Sequence, residues 1–322
     1  MAAKPKLALY WCASCGGCEE TVVDLDANIL TVVAAVDIVF WPCAMDPKYS
    51  DVEAMADGSI DVALINGAIR TSEQEHVAKL LRKKAKMVIA FGSCACMGGI
   101  PALANLKDKK GIFDRSYFDS PTVVNKEKTV PLEKSMNNGI ECTLPKFYET
   151  VYKLNDVIDV DYYIPGCPPT AKVLLNAVLA VLKGELPAKG AVLLPDKSLC
   201  SSCNRNDSKP ESLVLDKINR IHEIKADPEK CFLAQGVICM GPATRDGCDY
   251  PCVKGNMPCT GCFGPMSNAD QGARMIASLG GILQTDDESK SATLLDGIVD
   301  PAGTFYRYSL SSSLLGSNRK ER

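Results

Sequence analysis

The chain holds two histidines and two tryptophans in 322 residues, and aromatics make up only 6% of it. Its longest apolar runs, such as Val173 to Leu182, are far too short to span a bilayer, which excludes membrane insertion by a helix. A net charge of -3, with no Arg/Lys stripe interleaved with aromatics, excludes a nucleic-acid footprint. There is no Walker A loop, no GxGxxG turn, no Ser-His-Asp set and no HExxH helix, so neither nucleotide binding nor hydrolysis is expected. His76 lies in a polar helical stretch and His222 in Asn219-Arg220-Ile221-His222-Glu223; both lack ligand-like companions and read as surface residues. No apolar signal region follows Met1-Ala2-Ala3-Lys4-Pro5-Lys6, and no twin arginine precedes Cys12. A cytoplasmic location is therefore expected, where thiols stay reduced.

Against these absences stand sixteen cysteines, at positions 12, 15, 18, 43, 94, 96, 142, 167, 200, 203, 231, 239, 248, 252, 259 and 262. Such density in a small secreted chain would mean disulfides, but this chain is long and carries no export signal, so metal binding is the reading. At 46% apolar residues it can bury a full core, and its length suggests two domains.

From Lys6 to Lys183 apolar runs alternate with helical patterns, the signature of a doubly wound α/β fold with a mostly parallel sheet. The pattern predicts strands over Leu7–Trp11, Val36–Trp41, Asp61–Asn66, Met87–Phe91 and Val160–Ile164. Helices are predicted over Glu19–Val33, Ser72–Lys84, Pro145–Leu154 and Thr170–Lys183. The polar stretch between Ile100 and Glu141 has little periodicity and reads as a solvated excursion. The pattern breaks at Gly184-Glu185-Leu186-Pro187, which divides the chain into 1–183 and 184–322. Cys200 to Cys262 is loop-rich, holds half of all the cysteines and has too few apolar residues for an ordinary core, so bound metal is expected to hold it together. Ser267–Leu279 and Thr293–Ile298 read as helices, and Ser317–Arg322 as a frayed tail.

Cysteines follow the carboxyl ends of four of the five predicted strands, the edge at which open α/β sheets bind ligands. Four thiolates are needed around each cubane cluster. The first candidate set is Cys15 and Cys18 with Cys94 and Cys167, the last two in glycine- and proline-shaped turns (Phe91-Gly92-Ser93-Cys94 and Pro165-Gly166-Cys167-Pro168-Pro169). The second is Cys200, Cys203, Cys231 and Cys239, and the third Cys248, Cys252, Cys259 and Cys262. Three sets of four account for twelve cysteines; four-thiolate zinc remains an alternative for either of the last two. Cys12, Cys43 and Cys96 are read as small buried apolar residues, and Cys142 as a plain buried thiol.

Cys15-Gly16-Gly17-Cys18-Glu19-Glu20, Gly92-Ser93-Cys94 with Gly98-Gly99, and Pro165-Gly166-Cys167-Pro168-Pro169 resemble the proximal-cluster motifs of [NiFe]-hydrogenase small subunits. Cys239-Met240-Gly241-Pro242-Ala243-Thr244 and Pro258-Cys259-Thr260-Gly261-Cys262-Phe263-Gly264-Pro265 resemble that family's distal and medial motifs. The resemblance is collinear from Leu7 to Pro265 and is greatest to the cytoplasmic, methyl-viologen-reducing type associated with heterodisulfide reductase, which does not use the deazaflavin coenzyme. It departs from the periplasmic pattern in two places: Cys200 stands where that pattern has a histidine, and Cys252 supplies a thiol where it has a proline.

The resemblance implies a flavodoxin-like first domain, a cluster-bearing second domain and three [4Fe–4S] clusters. It implies a separate [NiFe] large subunit where hydrogen is split, and an iron–sulfur or flavin acceptor subunit of a heterodisulfide reductase complex. Electrons would enter at the first set, cross the third and leave from the second. Glu20 matches an acid near the family's proton path; its plainer reading is an acid stabilising the first helical turn. Ser14 stands where many relatives carry a glutamate. The small subunit of a deazaflavin-coenzyme-reducing hydrogenase is the alternative within the class. A cluster-bearing subunit of a complex I-like assembly is another, although such subunits lack the eight C-terminal cysteines.

Overall fold

The computed structural model describes residues 4–267, 269–283, 287–313 and 315; the tail at 316–322 lies outside them. Nine strands are present among the described residues: β1 (Lys6–Trp11), β2 (Asp37–Phe40), β3 (Ile60–Asn66), β4 (Ile69–Thr71), β5 (Ala85–Phe91), β6 (Lys134–Asn137), β7 (Ile140–Thr143), β8 (Phe147–Tyr152) and β9 (Tyr162–Ile164). Helices in the first half are α1 (Gly17–Val23), α2 (Asn28–Ala35), α3 (Tyr49–Ala54), α4 (Ser72–Lys84), α5 (Ser93–Met97), α6 (Lys109–Asp114) and α7 (Ala171–Lys183). The second half adds α8 (Pro251–Lys254), α9 (Gln271–Gly280), α10 (Glu288–Asp296) and α11 (Pro301–Phe305).

Five strands form one all-parallel sheet in the order β2-β1-β3-β5-β9, the flavodoxin-like order. Its switch point lies between β1 and β3, where the chain turns from one edge to the other. Alternation at period two sends the side chains of the central strands to two apolar layers. Ala8, Tyr10, Ala63, Ile65, Val88 and Ala90 enter one layer, which is covered by Val77, Ala78 and Leu81 of α4 and Val52 of α3. Leu9, Val62, Leu64, Ile89 and Phe91 enter the other, with Val22 of α1, Val32 of α2 and Val173, Leu174 and Ala177 of α7. Both faces are buried, which is why these strands read as continuous apolar runs.

Helix ends follow local chemistry. Thr71 Oγ1 accepts from the Gln74 N–H and the Gln74 side chain accepts from the Thr71 N–H, a capping box that starts α4. Gly184, at φ 69°, stops α7 in the left-handed conformation that glycine takes freely.

Several sequence expectations are corrected. The helix expected over Glu19–Val33 is two helices, because the chain turns at Asp24–Ala27 with Asp26 at φ 52°. The expected helix over Pro145–Leu154 is instead β8, antiparallel to β4. Phe147, Tyr148, Thr150, Val151 and Tyr152 are aromatic and β-branched, the residues that fit a pleated surface. The predicted helix from Ser267 starts at Gln271, where Asp270 accepts from the Ala273 N–H, and the one expected at Thr293–Ile298 belongs to α10, which starts at Glu288. The excursion after Ile100 contains a 3-10 turn (Ile100–Leu106), α6 and an exposed β6–β7 hairpin. Cys142 lies on that hairpin and is exposed rather than buried, because neither strand packs on the body. Cys43 is exposed too, in the loop past the end of β2.

The second half packs around Leu199, Leu215, Leu233, Met240, Met275 and Phe305, with Cys231 and Cys259 inside the same layer. Thiols thus replace aliphatic side chains in its core. No described helix is long and apolar enough to cross a membrane.

Asp161, just before β9, is a test of the sheet edge. Burial pushes its carboxyl up, but Lys189 (2.6 Å), Arg82 (2.7 Å) and the Val88 N–H (2.8 Å) outweigh that and hold it below the usual carboxylate range. A depressed folded pKa contributes stability above the unfolded carboxylate pKa of about 3.9, lost as pH falls through the folded value. Asp161→Asn is expected to lower stability at neutral pH and to flatten the acid limb of a stability-against-pH curve measured by denaturant unfolding.

Candidate metal centres

The first set is built where four chain segments meet at the carboxyl rim of the sheet. At the end of β1 the Cys12 N–H bonds the Asn66 carbonyl (2.8 Å), and Ala13 and Ala68 exchange two backbone bonds of 2.8 and 2.9 Å. Gly67 is forced by this approach: at φ 87°, an added Cβ would lie 2.7 Å from the Cys12 carbonyl carbon. The loop then enters α1 at Gly16, so Cys15 precedes the helix and Cys18 lies in its first turn. Gly17 N–H donates to Cys15 Sγ at 3.4 Å. Cys94 stands in the first turn of α5, directly after β5, and Cys167 follows β9.

Glycine also makes room for sulfur. A Cβ on Gly92 (φ 84°) would lie 2.3 Å from Cys18 Sγ, and one on Gly99 (φ 59°) 2.6 Å from Cys94 Sγ. The four thiols face one another closely enough for their charges to interact. Burial raises Cys18, and negative charge at Cys94, Cys167, Cys96 and Cys15 raises it further. Burial likewise pushes Cys94 up to about 12, with Cys167 and Cys15 adding to it. Cys167 is raised by burial and by Cys15, against a small opposing effect of Arg307. Thiols crowded in this way are kept ionised only by a cation in their midst, and a metal-bound thiol is deprotonated outright.

The remaining cysteines near the rim behave differently. Cys12 and Cys96 are buried in the apolar layer under the sheet, as expected, and the Cys96 thiol donates to the Ala90 carbonyl (3.4 Å).

The structure also brings the second set together. Cys200, Cys203, Cys231 and Cys239 all line one small, partly open cavity, with Phe232, Leu233, Gly241, Pro242 and Val253 among its walls. Gly241 again leaves space for sulfur, a Cβ there lying 3.1 Å from Cys200 Sγ. In the third set Cys262 is pushed up to about 12 by burial, then by Cys248 and Cys252, and Cys259 is raised well above the ordinary thiol value by burial, then by Cys239 and Cys262. Among the described residues no three His, Cys, Asp or Glu side chains close on a single-ion geometry.

The three sets are in contact in a fixed order. Ser93 Oγ donates to the Cys262 carbonyl and accepts from the Gly166 N–H (2.9 Å). At the other end of the third set, the Cys259 N–H donates to Cys239 Sγ at 3.3 Å. The order in space is therefore first, third, second.

Glu20 is exposed on α1, whereas its neighbour Glu19 is buried. The Glu19 carboxylate accepts from Trp41 Nε1–H and Asn66 Nδ2–H, and Asn66 in turn accepts from Ser14 Oγ (3.1 Å) and donates to the Tyr10 carbonyl (3.2 Å). Burial pushes Glu19 above the usual carboxylate range while those two donors oppose it. Glu19 and Asn66 received no separate role from the sequence. The signal was present at Asn66, where the one strand without a thiol ends in a buried amide that binds the cysteine loop.

The family profile described as "NADH ubiquinone oxidoreductase, 20 Kd subunit" matches residues 15–181. The iron-sulfur subunit of the F420-non-reducing hydrogenase of Archaeoglobus profundus is 40% identical over 315 residues, covering 96% of this chain and 97% of that protein. The chain belongs to this family of F420-non-reducing hydrogenase small subunits. A second member, from Methanothermobacter thermautotrophicus, is 38% identical over 322 residues, covering 98% of this chain and 97% of its own. The chain is thus an oxidoreductase subunit. Among solved structures, the recombinant [NiFeSe] hydrogenase of Desulfovibrio vulgaris Hildenborough matches with a TM-score of 0.53 at 17% identity, covering 84% of this chain and 97% of that one, which shows the shared fold.

The glycines at the rim separate steric need from mere presence. Gly92→Ala should lower the melting temperature by a left-handed strain of about 1–3 kcal/mol plus the displacement of Cys18. Gly17→Ala, whose Cβ would stand at an ordinary 3.5 Å from Cys15 Sγ, should leave it close to wild type. Thermal unfolding of the two variants side by side checks the difference.

Proposed function

We propose that this chain is the electron-transfer small subunit of a cytoplasmic [NiFe] hydrogenase. Residues 1–183 hold one [4Fe–4S] cluster on Cys15, Cys18, Cys94 and Cys167. Residues 184–322 hold two more, on Cys200, Cys203, Cys231 and Cys239 and on Cys248, Cys252, Cys259 and Cys262. The observation that carries this reading is the alignment of three four-thiol sets in contact, with four sulfurs around one shared cavity in the second. The donor chemistry fits: all twelve ligands are thiols, and glycines let the sulfurs of Cys18, Cys94 and Cys200 come closer to the backbone than a Cβ would allow. Cys12, raised by burial with no thiol neighbour acting on it, and Cys96, whose thiol donates to the Ala90 carbonyl, are left out.

When bound, each cluster takes up and passes on one electron at a time, at a potential set by its surroundings. The chain's own residues fix the geometry of that relay. Asn66 and Gly67 hold the Cys15–Cys18 loop at the sheet rim, Ser93 ties the first set to the third, and the Cys259 N–H ties the third to the second. In this reading the rim faces a separate [NiFe] large subunit, where hydrogen is split. The second set faces an iron–sulfur or flavin acceptor subunit of a heterodisulfide reductase complex. The eight C-terminal cysteines, which lie beyond the residues matched by the family profile, favour this over a complex I-like module. Exposed Glu20 is the candidate for passing protons out of the large subunit.

The complex purified from its native host should contain a nickel-bearing partner and about twelve irons per chain. Two zincs with about four irons would end the three-cluster reading. Cys94→Ser should lose about four irons, whereas Cys12→Ser should keep the full count. For Glu20, hydrogen oxidation and proton–deuterium exchange are the readouts: wild-type rates in Glu20→Gln would remove its proton role.

A further inference from the structure

The cavity of the second set is lined by two cationic side chains, Arg205 and Lys209, and by no carboxylate. Lys209 is half-buried and its ammonium donates to Asn206 Oδ1 at 2.7 Å, on the same cavity wall as Cys200. Arg205 is buried, with its guanidinium 4.5 Å over the Phe232 ring and one Nη bonded to the Val253 carbonyl at 2.8 Å. The Arg205 Nε–H has no partner among the described residues. Asp246 stands between the second and third sets, two residues before Cys248, and is held by Ser202 Oγ (2.7 Å), next to Cys203, and by Lys197 (3.3 Å).

Reduction adds an electron to a cluster whose charge is already negative, so cations and hydrogen bonds at its sulfurs favour the reduced state and a nearby carboxylate opposes it. We propose that Lys209, with Arg205 behind it, raises the reduction potential of the cluster on Cys200, Cys203, Cys231 and Cys239. Lys209 is then a tuning residue, acting on this cluster from the wall of its cavity. The inference rests on the ligand assignment proposed above.

The test is an EPR-monitored potentiometric titration of the complete complex carrying Lys209→Met, Lys209→Gln or Lys209→Arg. Removing the charge should lower the reduced-to-oxidised ratio of the second cluster at fixed poise roughly tenfold, which for a one-electron couple is about 59 mV. The other two clusters should titrate as in wild type, and Lys209→Arg should restore most of the shift. A full iron count with an unmoved second potential in both neutral variants overturns this proposal alone. An equal shift of all three clusters overturns it too. A wild-type complex with far fewer than twelve irons instead removes the ligand assignment, and this proposal with it.

Discussion

Buried thiols set close together repel one another as soon as they ionise, and that repulsion is the constraint on which the rest of this structure depends. Cys18, Cys94, Cys259 and Cys262 are each raised first by burial and then by the charge of their neighbours. A protein gains nothing by such crowding unless a cation shares the space. The scaffold spends its rigid elements on maintaining it: five parallel strands deliver loops to one rim, and glycines stand wherever sulfur or backbone comes too close for a Cβ.

Polar groups between the loops do the remaining positioning. Asn66 joins Ser14, Glu19 and the Tyr10 carbonyl, and so stiffens the loop that carries Cys15 and Cys18 from a strand that offers no thiol itself. Ser93 does the same between the halves of the molecule, using one hydroxyl both as donor to Cys262 and as acceptor from Gly166. The second half, expected to lack an ordinary core, has an apolar layer around Leu199, Met240, Met275 and Phe305, and Cys231 and Cys259 sit within it.

Much of this was legible beforehand, because two signals were strong. Continuous apolar runs mark strands buried on both faces, and cysteines directly after four of them mark the rim. What stayed hidden depended on tertiary contact. The stretch Pro145–Leu154 has the length of a short helix, but its strand-favouring residues Phe147–Tyr152 pair with Ile69–Thr71 instead. The helix after Cys18 breaks at a left-handed Asp26 that no glycine or proline announces. Glu19 and Glu20 are indistinguishable as adjacent acids, and the helix phase alone decides that Glu19 turns inward to Trp41. Cys43 and Cys142 are exposed because a loop and a hairpin leave the body, something that composition does not record.

The four first-set thiols come from segments as far apart as Cys15 and Cys167, whereas the third set lies within Cys248–Cys262. During synthesis at about 5–20 residues per second, Cys15 and Cys18 emerge roughly 7–30 seconds before Cys167 does. For that interval the loop is an incomplete set of reactive thiols, and the half-formed sheet cannot shield it. The third set, by contrast, is complete within a few seconds of its first cysteine. On the proposed ligand assignment, the centre nearest the start of the chain is the one with the longest wait for its last thiol.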